Sequence, residues 1–337
     1  MASLAACPWT FRPLEEGATV SPYNNRELLP NWTESVTHCV AMAGARNSGK
    51  SLYTAVMVKQ LKQLAHKHNH SVFAADQSTE QRFQEKYEQP LFQEMKSMDP
   101  TPSAVATDAY QRDPLIFDLG QWPDPEGTMR TNYLVFRDVA GEDLENLPER
   151  EDDCEALSFF KYADLVIFLF DPLREREIRD YLHGLVPDFG ELGAEPTRVL
   201  ENLITLMGED SPPPLAVTIS KFDTIQKLEQ NPNTQWAKIM GNTGAAFRRD
   251  TGWNFYFDDA TILSYEVDSL LRFLKANDLI NMVNNISQNG RQYFAVSALG
   301  EAPTGRQLAR SGIAPFRVLD PLRWMLSSRG VFKDDVQ

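Results

Sequence analysis

The chain has 337 residues, 33 Lys and Arg against 47 Asp and Glu, and 42% apolar residues. Such a chain buries a full core without disulfide or metal staples, and its net charge of −14 opposes sequence-independent attraction to nucleic acid or anionic lipid. Cys7, Cys39 and Cys154 lie far apart without a CxxC spacing, and no apolar run approaches the ~20 residues that span a bilayer. The expectation is a cytoplasmic protein with no integral membrane segment and no nucleic acid partner.

Residues 1–35 carry Pro8, Pro13, Pro22 and Pro30 and read as an extended N-terminal arm, with Trp9, Phe11 and Trp32 to dock it. β-Branched or aromatic runs follow at 37–43, 72–75, 115–118, 133–137, 165–170, 215–219 and 293–297. Between most of them apolar residues recur at helical spacing, as in Leu52, Val56, Leu61 and Leu64, or Val267, Leu270, Leu271 and Leu274. This alternation predicts an α/β fold, a mainly parallel sheet with helices on both faces. One strand should be antiparallel, because the loop from 119 to 132 holds Gly120, Pro123, Pro125 and Gly127 and no helical run. Residues 36–330 then form one elaborated domain with insertions at 72–114, 174–214 and 224–292, and 331–337 form a tail.

Directly after the first of these strands come Gly44, Ala45, Arg46, Asn47, Ser48, Gly49, Lys50 and Ser51, followed by an amphipathic helix. Spacing and context are those of a phosphate-binding P-loop. Its glycines let the backbone approach phosphates, the amides and helix N-terminus bind the anion, Lys50 bridges the terminal phosphates and Ser51 holds Mg²⁺. The ligand class is a nucleoside triphosphate. After strand 133–137, Asp138 can hold Mg²⁺ through water and Gly141 can sense a γ-phosphate. After strand 215–219, Asp223, two residues beyond Lys221, is suited to accept from N1–H and the 2-amino group of guanine, a donor pair adenine lacks. Ser297, Ala298 and Leu299 can offer amides to the guanine carbonyl.

These motifs, in this order at successive strand ends, resemble the GTPases of the translation-factor and Ras-like superclass. The runs 140–143, 168–172, 297–300 and 318–324 resemble more narrowly the bacterial double-GTPase type of conflict-related operons. The resemblance implies a P-loop NTPase sheet, GTP/GDP and Mg²⁺ as ligands, and slow GTP hydrolysis that works as a molecular switch. It also implies a protein partner, either a second GTPase or an operon-encoded effector, with homo-oligomerisation open. The chain departs from the superclass at Arg46 and Asn47, where small residues are usual, at Glu142 in place of a water-positioning Gln, and at Ser220 in place of Asn or Thr. Arg46, as an internal arginine over the γ-phosphate, and Glu142, orienting water, are the candidate catalytic residues. A threonine closing on Mg²⁺ should precede strand 115–118, and Thr101 and Thr107 both qualify. Rival readings are an ATP-dependent phosphotransferase and a nucleotide-locked binding module. His66, His68 and His70 read as a helix C-terminal cap, the acidic run Glu149, Glu151, Asp152, Asp153 and Glu155 as a solvated helix start, and Phe159 and Phe160 as core.

Overall fold

The computed structural model describes residues 2–94, 113–147, 155–186, 195–208, 210–232, 234–286, 290–302, 308 and 312–334. Its strands are β1 (Ala2–Ala6), β2 (Pro13–Glu15), β3 (Val36–Gly44), β4 (Phe73–Ala74), β5 (Leu115–Pro123), β6 (Met129–Asp138), β7 (Leu165–Phe170), β8 (Leu215–Ile219) and β9 (Arg291–Ala295). The last seven form one sheet in the order β4-β5-β6-β3-β7-β8-β9. β3 pairs in parallel with β6 and β7, then β7 with β8 and β8 with β9. β5 runs against β4 and β6, the antiparallel strand expected from its helix-free loop.

The helices are α1 (Lys50–Lys67), α2 (Gln77–Phe83), α3 (Gly141–Glu145), α4 (Arg176–Leu182), α5 (Pro196–Met207), α6 (Phe222–Gln226), α7 (Gln235–Met240), α8 (Phe257–Phe273), α9 (Asn277–Asn284) and α10 (Asp320–Ser328). Helices cover the sheet, so β7 and β8 are buried at every residue; β7 reads as an unbroken apolar run and β8 as one interrupted only by Thr218. α8 buries Leu263, Val267, Leu270 and Leu271 at the expected three- and four-residue spacing. Among the described residues no helix is long and apolar enough to cross a membrane.

Three expectations are corrected. The run 72–75 contributes only the two residues of β4, at the sheet edge where Phe73 is 66% exposed. β5 and β6 extend as a hairpin around a turn in which Asp124 accepts the amides of Glu126 and Thr128. The N-terminal arm is no plain extended segment: β1 and β2 pair antiparallel, and Cys7, Phe11, Leu14 and Trp32 join the core. Trp32 donates to the Ala6 carbonyl at 2.9 Å and stacks on Tyr133 at 4.9 Å.

Candidate functional site

β3, β6, β7, β8 and β9 run in one direction, so their C-terminal ends share one edge of the sheet, where open α/β sheets bind ligands. The loop 44–51 leaves that edge from β3. A Cβ on Gly44 would meet Leu169 O and Ser48 Oγ at 2.8 Å, so only glycine lets this loop lie so close to β7. Asn47 at φ 63 and Gly49 at φ 92 are left-handed, the kind of backbone that turns successive amides into an anion-binding nest. Lys50 opens α1 and is buried, its Nζ donating to Gly44 O at 2.8 Å and Ala45 O at 3.1 Å. Burial weakens its hold on the proton, and the carboxylates of Asp138, Glu145 and Asp143 oppose that effect.

Asp138 ends β6. Ser51 Oγ donates to its Oδ2 at 3.1 Å, while its buried Oδ1 has no hydrogen-bond partner among the described residues. Burial pushes the carboxyl up to about 6, against the pull of Lys50 and Ser51. An unsatisfied buried carboxylate oxygen beside a hydroxyl suits a hard divalent cation that keeps most of its waters, so the residues present fit Mg²⁺. Thr101 and Thr107 lie outside the described residues, as do Glu149, Glu151, Asp152, Asp153 and Cys154.

α3 leans on the phosphate loop. A Cβ on Gly141 would lie 2.2 Å from Arg46 N and 2.6 Å from the carbonyl carbon of Ala45. The Arg46 guanidinium and the Glu142 carboxylate, the two candidate catalytic groups, are brought together as an ion pair at 2.7 Å with both side chains about half exposed. Two residues without any motif complete the arrangement: Glu145 accepts the Arg46 amide at 3.0 Å, and Arg174 donates to the Arg46 carbonyl at 2.8 Å.

Further along the edge, Asp223 is buried on α6 and Ser297 Oγ donates to its Oδ1 at 2.6 Å. Burial raises this carboxyl and the Ser297 bond counters it. Lys221, left-handed at φ 49, places Nζ 2.7 Å from Asp171 Oδ2. Gly300 donates its amide to Ser297 Oγ at 2.8 Å, and Leu299 is buried with Ala298 packed beside the core. Asp171 was within reach of sequence reasoning, since it directly follows a strand at the binding edge.

The remaining clusters are structural. His70 stacks on Trp122 at 4.1 Å, His68 meets Phe332 edge-on, and among the described residues no three His, Cys, Asp or Glu are grouped to hold a metal. Phe159 and Phe160 are buried and stacked. In the run 318–324, Arg323 is buried against the carbonyls of Trp253 and Phe332, and Val318 O accepts the Tyr53 hydroxyl of α1 at 2.8 Å.

Among curated proteins, one from Mycolicibacterium smegmatis, named as a candidate ESX-1 scaffolding and assembly protein, SaeC, is 41% identical over 319 residues, covering 93% of this chain and 80% of its own length. Among solved structures, the GTP-bound GTPase-like domain of Ski7 from S. cerevisiae aligns at 9% identity and a TM-score of 0.33, over 90% of this chain and 52% of that one. Sup35 complexed with GDP aligns at 14% identity and a TM-score of 0.31, over 89% and 46%. This chain thus spans about half the length of either structure. The family model Double-GTPase 2 matches residues 38–274, so with a P-loop, an Asp138 to Gly141 motif and a Lys221 and Asp223 motif inside that match, the chain belongs to the Double-GTPase 2 family.

Proposed function

We propose that the protein binds GTP and GDP with Mg²⁺, hydrolyses GTP slowly, and thereby switches its hold on a protein partner. The observation that carries this reading is one sheet edge holding both the Lys50 loop and the buried, Ser297-bonded Asp223. In it Lys50 faces the terminal phosphates and the loop amides bind their oxygens. Ser51 and Asp138 would hold Mg²⁺, which supplies charge neutralisation as the phosphoryl group transfers. Gly141 offers its amide to the γ-phosphate, and Asp223 accepts from the guanine edge beside Ser297, Ala298 and Leu299. Residues 36–330 act as one domain, into whose core the arm 1–35 packs Cys7, Phe11, Leu14 and Trp32, and the segment 331–337, expected as a tail, begins with the buried Val331 and Phe332.

The Arg46–Glu142 pair supports slow turnover, since the guanidinium and the carboxylate spend part of their charge on each other rather than on a phosphate or a water. The same pair supports a second reading, a nucleotide-locked module that binds GTP without appreciable hydrolysis. Single-turnover measurement with radiolabelled GTP separates the two. The scaffolding and assembly name of the relative supports a protein partner, and family membership supports a place in a bacterial conflict system.

Calorimetry with GTP, ATP and XTP tests the base assignment. The native chain should prefer GTP over ATP by several powers of ten, as sites built around a buried polar edge do. Asp223→Asn should shift the preference toward XTP. Equal affinity for ATP and GTP would overturn the reading and favour an ATP-dependent phosphotransferase.

A further inference from the structure

Arg174 stands outside the motifs, in the loop after β7. That loop is itself braced. Asp171 Oδ1 accepts the Leu173 amide at 3.0 Å, and Arg179 of α4 donates to the carbonyls of Leu173 and Arg174 at 2.8 and 2.7 Å. From this platform the Arg174 guanidinium crosses to the phosphate loop and donates to Arg46 O at 2.8 Å. Burial weakens its hold on the proton, and the carboxylates of Asp171 and Glu145 oppose that effect.

Peptide planarity gives this contact its meaning, because in a trans peptide the C=O and the following N–H point in opposite directions. The 45–46 peptide is gripped at both ends, with Lys50 Nζ on the Ala45 carbonyl at 3.1 Å and Glu145 on the Arg46 amide at 3.0 Å. The 46–47 peptide is gripped at its carbonyl by Arg174, which directs the Asn47 amide to the opposite side. Asn47 is the non-glycine residue of this loop in the left-handed region, at φ 63, a conformation that persists where its surroundings hold it. Flipping this peptide would turn a carbonyl dipole toward an incoming anion where an amide is required.

We infer that Arg174 is a positioning residue of the phosphate loop, which by holding the Arg46 carbonyl fixes the Asn47 amide for the phosphates of a guanine nucleotide. The inference rests on the reading of residues 44–51 as a phosphate cradle. It distinguishes phosphate binding from base binding, since Arg174 touches the loop and leaves the Asp223–Ser297 pair alone. Arginine suits the role because its planar fork loses little freedom per bond formed.

The test is fluorescence titration of the full chain with mant-GDP and mant-GTP, with guanosine as a competitor lacking phosphates, for the native protein, Arg174→Ala and Arg174→Lys. Arg174→Ala should weaken mant-GDP and mant-GTP at least tenfold while the guanosine inhibition constant and the melting temperature stay unchanged. Arg174→Lys should recover part of the loss. Binding of mant-GDP by Arg174→Ala within twofold of native would overturn the inference and leave the nucleotide reading standing. Equal losses for guanosine and both nucleotides would also overturn it, by showing a general loss of structure. A native chain that binds no guanine nucleotide would defeat the underlying reading, and the inference with it.

Discussion

Replacing His38 with Gln should remove a loss of stability that sets in as the pH falls from about 6.5 to about 4. His38 sits in β3, 1% exposed, with Nε2 2.8 Å from Asn132 Oδ1 and Nδ1 3.4 Å from Arg329. Donation from Nε2 to an amide oxygen, with Nδ1 turned toward a guanidinium, describes a neutral imidazole. Burial and then Arg329 drive its pKa from 6.5 down to about 4, against the opposing effects of Asn132 and Asp164. Below pH 6.5 the unfolded chain takes up a proton that the folded chain refuses until about pH 4. Stability from this group is therefore complete above the higher value and drains away as pH falls through the window. The interval corresponds to about 3 kcal/mol. Urea unfolding of native and His38→Gln protein, from about pH 7 to about pH 4, isolates the effect because the carboxylates titrate in both chains. The native curve should fall away from the variant's as pH drops. Parallel curves across the window would refute the assignment of a buried neutral histidine.

Gly141→Ala places a methyl carbon 2.2 Å from Arg46 N, so α3 must lift off the phosphate loop, at about 1–3 kcal/mol in denaturant unfolding; unchanged stability would deny the close contact. Tyr53→Phe leaves the buried Val318 carbonyl without its hydroxyl donor and should cost about 1–3 kcal/mol in the same assay. Arg46→Ala and Glu142→Ala break a half-exposed pair and should change stability by less than about 1 kcal/mol. Both should lower single-turnover GTP hydrolysis while nucleotide binding survives, and rates equal to native would remove these residues from the chemistry.

Neighbouring residues decide some features among themselves, and those were the legible ones. β7 and β8 are buried on both faces and show as apolar runs, and the helix-free loop before β6 gave away an antiparallel partner. The motifs were legible because a strand end, a glycine and a charged residue stand directly beside one another. The hairpin of β1 and β2 was not, since β1 is built of Ala, Ser and Leu rather than β-branched residues, and prolines recur through the rest of the arm. Nor were the contacts around Arg46, where Glu145 and Arg174 come from 99 and 128 residues away and carry no local pattern. The pairing of Arg46 with Glu142 likewise depends on how closely Gly141 lets α3 approach.

The bond from Tyr53 to Val318 joins residues 265 positions apart, and Asp223 receives its hydroxyl from Ser297, 74 positions downstream. A polypeptide leaves the ribosome N-terminus first, so the loop at 44–51 emerges long before either partner exists. β3, β6 and β7 can pair while translation continues, but β9, the edge strand that carries the chain to Ser297, comes late. A nascent chain stalled anywhere short of residue 297 therefore holds the phosphate loop without the hydroxyl that steadies Asp223. The two ends of the site mature at different moments of synthesis, and its base side closes only after Ser297 has been made.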